Sequence, residues 1–265
     1  MKSKIWFDCK NLSAYKNNFK VIRDLNLTLQ NDQDLVILGP NGSGKSSIID
    51  IINRNIYPIQ KPNSYLRIFD KELIDIWELR KRISVVNNDV KYRISVDLTV
   101  FDLILSGLYG SYTKVKKISE ENLLRVEKLI KFMNLTNISS TSFGYLSDGE
   151  KQISLIARAL INKPEIIILD EPGSNLDLKG KLFLVNRIEN LSKIGTRIVL
   201  VTHDLSLITK NYNRIILLKN MKIIADGSPN KIMTTGNINK LFDCDVELIK
   251  LNENWLISTK QSLKQ

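Results

Sequence analysis

The stretch Gly39-Pro40-Asn41-Gly42-Ser43-Gly44-Lys45-Ser46 follows the apolar run Leu35-Val36-Ile37-Leu38. A glycine, four residues, then Gly-Lys-Ser is a spacing that can hold phosphate groups. The glycines let backbone N–H groups turn inward around an anion, and a helix opening from the loop aims its positive end at the same point. In that setting Lys45 would reach the β- and γ-phosphates of a nucleotide, and the Ser46 hydroxyl would ligate Mg2+. Alone, these residues would be a glycine-rich turn, but an apolar strand pattern precedes them and a helical one follows. Further along, Ile166-Ile167-Ile168-Leu169 ends on Asp170-Glu171. A carboxylate at a strand end can reach a metal ion beside such a loop. Adjacent strand residues point to opposite faces, so Asp170 and Glu171 should do different jobs. Taken alone, the pair could equally be solvated. His203, the only histidine of the chain, stands in Val201-Thr202-His203-Asp204 just after another apolar run. A single histidine is more often a bystander than a switch, and its type alone does not decide.

The elements that must position these groups can be read from periodicity. Residues 5–29 carry short alternating apolar segments broken by Asn and Lys, which predicts a small antiparallel sheet with hairpins. Leu35–Leu38 is a buried strand ending on Gly39, and 46–53 reads as a helix leaving the glycine loop. Ile83-Ser84-Val85-Val86 is another buried strand. Over 99–134 the pattern changes to helical spacing, with Val100, Leu103, Ile104 and Gly107, then Leu123, Leu124, Leu129 and Phe132. After residue 150, Ile153 to Ile161 is apolar at helical spacing and Asn162-Lys163-Pro164 ends it. Strands over 166–169, 198–201 and 215–218 alternate with a helix over 179–192, which indicates a mostly parallel sheet. From Met221 onward the chain reads as strand-turn-strand with a short helix over 238–242. There is no internal repeat and no low-complexity linker.

Composition narrows the setting. With 265 residues, 43% hydrophobic and 25% charged, the chain has the make-up of an ordinary globular protein able to bury a full core. No apolar run approaches the roughly 18 residues needed to cross a bilayer, and the start, Met1-Lys2-Ser3-Lys4-Ile5-Trp6, lacks the apolar core of a secretory signal. Any membrane role is therefore expected to come through a partner. Cys9 and Cys244 are far apart and fit no metal spacing, which suits reduced bystanders in a cytoplasmic protein. The formal charge of +11 admits a nucleic-acid or anionic-membrane partner. The basic residues are spread along the whole sequence, however, with Lys114 to Lys117 the densest cluster. Lys-, Ile- and Asn-rich usage from biased base composition explains the charge without such a partner.

One element is more specific than the rest. Leu146-Ser147-Asp148-Gly149-Glu150 lies between the phosphate loop and the Asp170 strand, and most nucleotide hydrolases have nothing like it. It resembles the signature of the ATP-binding cassette (ABC) ATPases. Ser174-Asn175-Leu176-Asp177 resembles the family's D-loop, and Leu217-Leu218-Lys219-Asn220 with Ala225-Asp226-Gly227 resembles its closing hairpin, so the likeness covers nearly the whole chain. Two signature positions depart: Asp148 stands for a glycine and Glu150 for a glutamine. The family's Q-loop glutamine is also missing, with Asn88 at the aligned position, one methylene shorter.

The resemblance implies an α/β fold: a P-loop NTPase core with an N-terminal antiparallel β-subdomain and an inserted helical subdomain over about 99–144, all one ABC ATPase domain over 1–265. It implies ATP and Mg2+ as ligands. ATP binding falls to Tyr15, Gly39, Pro40, Asn41, Gly42, Ser43, Gly44, Lys45, Ser46, Ser47, Ser147 and Gly149. Catalysis falls to Lys45, Glu171 as general base and His203 as the γ-phosphate switch, and metal binding to Ser46, Asp170 and Asn88. Adenine would stack on Tyr15, although Phe19 is a rival and Tyr15 could instead be a core residue. Ser147 and Gly149 would meet ATP held by a second subunit, which implies a homodimer or a paired ABC subunit. The compact layout is most similar to importer-type subunits, which sit peripherally on the cytoplasmic face against an integral membrane permease. The expected function is to hydrolyse ATP and power substrate movement through that permease, with no direct nucleic-acid contact. The alternative is a soluble ABC ATPase acting on nucleic acid or ribosomes.

Overall fold

The computed structural model describes residues 4–191, 194–252 and 254–259. By its internal contacts the chain forms two compact units, one from segments 1–80 and 197–265 and the other from Lys81–Thr196.

The first unit begins with one long hairpin where several short strands were expected. Strands β1 (Ile5–Lys16) and β2 (Phe19–Gln30) pair antiparallel with Lys16 opposite Phe19. Asn17 and Asn18 both have φ in the left-handed region, 49° and 66°. A two-residue turn of that kind matches the twist of the strands it joins, and asparagine tolerates it better than most residues. Leu25, Leu27 and Leu29 alternate inward along β2, at most 3% exposed. On its other edge β1 pairs with β4 (Pro58–Ile59) and β5 (Tyr65–Ile68). These two strands lie in a stretch with no clear periodicity, too short for a pattern to register.

The same unit holds a second, mostly parallel layer. Strand β3 (Leu35–Leu38) is fully buried and lies between β8 (Arg197–Thr202) and β9 (Arg214–Lys219), parallel to both, while β10 (Lys222–Gly227) returns antiparallel along β9. A strand covered on both faces reads as an unbroken apolar run, which is why β3, β8 and β9 were visible in the sequence. Asp34, 5% exposed, ties the strand starts together. Its carboxylate accepts the Ile198 N–H at 2.8 Å and faces the Arg197 guanidinium at 3.5 Å, and its carbonyl accepts the Asn213 N–H. Helix α1 (Lys45–Ile52) leaves the loop after β3 and buries Ile48, Ile49, Ile51 and Ile52. The tail runs through α7 (Pro229–Ile232) and α8 (Thr235–Phe242) to a hairpin of β11 (Val246–Leu251) and β12 (Asn254–Thr259). Helix α8 starts three residues before the expected boundary, because Thr234 caps it by accepting the Asn237 N–H.

The second unit opens at the end of α2 (Ile76–Arg82). It contains the parallel pair β6 (Ile83–Val86) and β7 (Ile166–Asp170) with helices α3 (Val100–Ser106), α4 (Glu120–Phe132), α5 (Asp148–Leu160) and α6 (Leu178–Leu191). Thr99 caps α3 and Ser119 caps α4, each accepting the N–H three residues on. The segment before α3 is stitched to the one before α5 by backbone bonds, Phe143 N–H to Leu98 carbonyl and Gly144 N–H to Val96 carbonyl. The helix expected from Leu123, Leu124, Leu129 and Phe132 is present as α4; it buries Val126 and Ile130, leaves Leu129 half-buried, and keeps Leu123, Leu124 and Phe132 at 36%, 55% and 36% exposed. Apolar residues nearly encircle this helix, so one stripe can be buried and the rest stay outside.

No described helix is long and apolar enough to cross a membrane. Burial pushes the Cys9 thiol up to about 12 and keeps it inert; Cys244 is exposed and equally unpaired by disulfide.

Candidate active site

In the first unit, residues 39–46 leave β3 and wrap the start of α1. Gly39 lies against the next strand so closely that a Cβ there would sit 2.2 Å from the Leu218 carbonyl oxygen and 2.7 Å from Ser43 Oγ. Gly44 is the N-cap of α1 with φ 103°, a conformation that side chains avoid. Ser43 N–H donates to the Pro40 carbonyl at 3.2 Å, and Met221 N–H to the Ser43 carbonyl at 2.9 Å, so the loop is held from both ends. Lys45 is 5% exposed and folds its ammonium back into the loop, donating to the carbonyls of Gly39 at 2.7 Å and Pro40 at 3.0 Å. Ser46 is exposed and Ser47 half-buried in the first helical turn, where no acidic side chain competes for the helix's positive end.

His203 is exposed one residue beyond β8. Thr202 pairs with Leu38, and its carbonyl accepts the Gly39 N–H at 3.2 Å, so the histidine emerges beside the start of the loop. Tyr15 is 42% exposed and Phe19 76%, so neither is a core aromatic. Both lie at the turn end of the β1–β2 hairpin, which Lys16 ties to Asp50 of α1 at 2.9 Å. The Lys20 ammonium stands 5.5 Å from the centre of the Tyr15 ring.

In the second unit, Asp170 is the last residue of β7, and Glu171 follows with φ 49°. A glutamate in the left-handed region costs on the order of 1 kcal/mol. Its carbonyl is clamped by Ser174, through the N–H at 3.2 Å and the hydroxyl at 2.9 Å. Asn88 lies just past β6, and its amide N–H group reaches Ser174 Oγ at 2.6 Å and the Glu171 carbonyl at 3.4 Å. Asn88 Oδ1 is buried and accepts no hydrogen bond among the described residues. Asp177 caps α6 by accepting the Gly180 N–H at 2.7 Å.

The signature residues start α5. Ser147 is its N-cap in a capping box: Ser147 accepts the Glu150 N–H, while the Ser147 N–H and hydroxyl donate to Glu150 Oε2 at 2.8 and 2.7 Å. Ser-x-x-Glu before an apolar helix is a sequence signal for that box, and reading 146–150 only as a nucleotide signature passes over it. Gly149 is buried where a Cβ would come 3.3 Å from the Gly180 Cα, so the starts of α5 and α6 can approach. Lys91 was not expected here. Burial holds its ammonium below the usual range, Asp148 works against that depression and Lys151 adds to it. The Asp148 charge therefore acts on a cation within its own unit.

The first unit thus builds a phosphate loop flanked by a histidine and an exposed aromatic. The second builds a strand-end carboxylate pair, a carboxamide and a capped helix start. These are the parts of a P-loop nucleotide hydrolase. The ABC transporter family model matches residues 22–174, more than half of the chain. An uncharacterized ABC transporter ATP-binding protein of Methanocaldococcus jannaschii is 32% identical over 88% of the chain and 80% of its own length. The petrobactin import ATP-binding protein of Bacillus subtilis is 27% identical over 91% and 94%. Among solved structures, a dimeric ATP-binding cassette in a post-hydrolysis state with ADP and Pi superposes with a TM-score of 0.68 at 26% identity, covering 84% of this chain and 98% of that one. The chain belongs to the ABC transporter family, as an ATP-binding subunit. It is an ATPase whose hydrolysis powers substrate movement through a separate membrane subunit.

Proposed function

We propose that MgATP is hydrolysed in a site shared by two head-to-tail copies of the cassette, with the cycle coupled to a permease docked on residues 88–105. The observation that carries this reading is that the chain has two separate helix starts, α1 behind the phosphate loop and α5 behind Ser147, each a place where backbone N–H groups could meet a phosphate. Residues 39–47 hold the phosphates and Tyr15 stacks on adenine. Glu171 takes the proton of the attacking water, and His203 contacts the γ-phosphate. Ser147 and Gly149 engage the nucleotide of the other copy. Ser46, Asp170 and Asn88 offer hydroxyl, carboxylate and amide oxygen, the donors a hard cation takes. When bound, Mg2+ neutralises charge on the β- and γ-phosphates.

The capping box makes the shared site testable. Ser147 cannot donate its hydroxyl to a phosphate while Glu150 holds it, and the Glu150 charge opposes an anion at the same helix start. Glu150→Gln is therefore expected to lower the ATP concentration for half-maximal hydrolysis by about 2–5-fold, the worth of one charge near a helix terminus. A raised half-saturation would show that the carboxylate assists the nucleotide.

The partner surface is supported by its exposure. Tyr92 is 90% and Val96 63% exposed, and Val90 and Phe101 are half-buried, whereas Leu98, 5% exposed, belongs to the packing of the subdomain. A short amphipathic helix of a membrane protein could use such anchors, and the import relative favours an importer. On this reading the chain sits peripherally on the cytoplasmic face. Affinity purification from detergent-solubilised membranes, with mass spectrometry of what co-purifies, is expected to recover a multi-spanning protein. Recovery of ribosomes or nucleic acid without an integral membrane protein would overturn the permease reading in favour of a soluble ATPase.

A further inference from the structure

We infer that Asn88 is a positioning residue that locks the backbone of Glu171 through Ser174, so that the segment opening at Asn88 sets the catalytic glutamate directly. The inference rests on the reading of Glu171 as general base. Three donors converge on one carbonyl: the Ser174 N–H, the Ser174 hydroxyl and the Asn88 amide all point at Glu171 O. The hydrogen count closes. The single Ser174 hydroxyl hydrogen goes to Glu171 O, its oxygen lone pair accepts one Asn88 hydrogen at 2.6 Å, and the second Asn88 hydrogen reaches Glu171 O at 3.4 Å.

The residue so held is one whose φ of 49° would relax if the carbonyl were released. A strained backbone keeps its conformation only while its surroundings hold it, so losing the clamp frees the backbone at Glu171 to move, and its carboxylate with it. Asn88 is also the first residue of a two-turn segment, Asn88–Arg93, that carries the exposed Tyr92. A partner pressing on that segment would move the amide, and with it the clamp. A longer glutamine side chain would place its amide differently, whereas the shorter asparagine suits this contact.

The test is steady-state ATP hydrolysis by the full chain with Asn88→Ala, Asn88→Asp, Asn88→Gln, Ser174→Ala and the Asn88→Ala/Ser174→Ala pair. Asn88→Ala and Ser174→Ala are each expected to lower kcat by about 10- to 100-fold, the cost of misplacing a reacting group, with KM for ATP unchanged, and with half-saturating Mg2+ unchanged in Ser174→Ala, whose hydroxyl is not among the proposed metal donors. The pair should be no worse than either alone, because both break one clamp. Asn88→Asp keeps the shape but has no hydrogen to give, so it should fall with Ala, while Asn88→Gln keeps a donor and should recover activity relative to Asp. Multiplicative losses, an active Asn88→Asp, or a raised Mg2+ requirement with Ser174→Ala at wild-type kcat would each overturn the inference. Ser174→Ala removes only a hydroxyl, so its kcat decides the matter even if an Asn88 variant folds poorly. Glu171→Gln separates the two readings: hydrolysis surviving in that variant defeats the base assignment, whereas its loss alongside independent Asn88 and Ser174 effects defeats only the clamp.

Discussion

Lys45→Ala should abolish ATP binding, with calorimetry showing an affinity loss of about 100-fold or more. The ammonium of Lys45 lies inside the loop, bonded to the carbonyls of Gly39 and Pro40. Alanine would leave those carbonyl oxygens facing phosphate oxygens with no positive charge between them, and charge-assisted bonds to a buried ammonium are among the stronger contacts a nucleotide makes. Because Lys45 is itself buried, thermal unfolding of the variant serves as the control: a folded protein with undiminished affinity would remove the phosphate-loop assignment. Conversely, retained folding with lost binding ties the defect to the ligand and not to the core beneath α1.

The second large effect concerns Glu171. Glu171→Gln should keep ATP affinity while hydrolysis falls by about 100- to 10,000-fold, the usual worth of a positioned base. The amide can still orient water but cannot take its proton. With hydrolysis stopped, ATP should persist between two copies, each held through Ser147 of the other, so analytical ultracentrifugation with ATP should show a dimer that is absent without it. A variant that binds ATP and stays strictly monomeric would count against the shared site.

Much of this was legible from residue types because the reacting groups sit at the ends of elements with strong patterns. Leu35–Leu38, Ile166–Asp170 and Arg197–Thr202 are buried strands of nearly unbroken apolar residues, and each delivers its functional side chain at or just past its last residue. Periodicity therefore located both the strand and the residue to watch. What escaped was set by contacts between distant segments or by elements too short to show a period. The β4 and β5 strands have two and four residues. The Asn88–Ser174 contact joins the start of the Asn88–Arg93 segment to the turn after β7, and the influence of Asp148 on Lys91 acts between two segments that neither charge pattern nor spacing connects. The buried face of α4 could not be read because six apolar residues in one helix do not say which of them wins the core. The Ser147–Glu150 box was visible in the sequence, but two meanings of the same four residues overlapped and only one was read.

Asp34 stands at the end of β3 opposite the phosphate loop, yet the strands it ties are those that deliver Gly39 and His203. Its carboxylate is the acceptor for the buried Ile198 N–H, and stripping it would leave that donor unsatisfied at about 1–3 kcal/mol, enough to let β8 slip relative to β3. The inheritance pattern of defects in this subunit should reflect that. Random mutagenesis scored for failed transport would be expected to return position 34 alongside the residues that meet ATP, and those alleles would be distinguished by temperature sensitivity, with function returning in cells grown cooler.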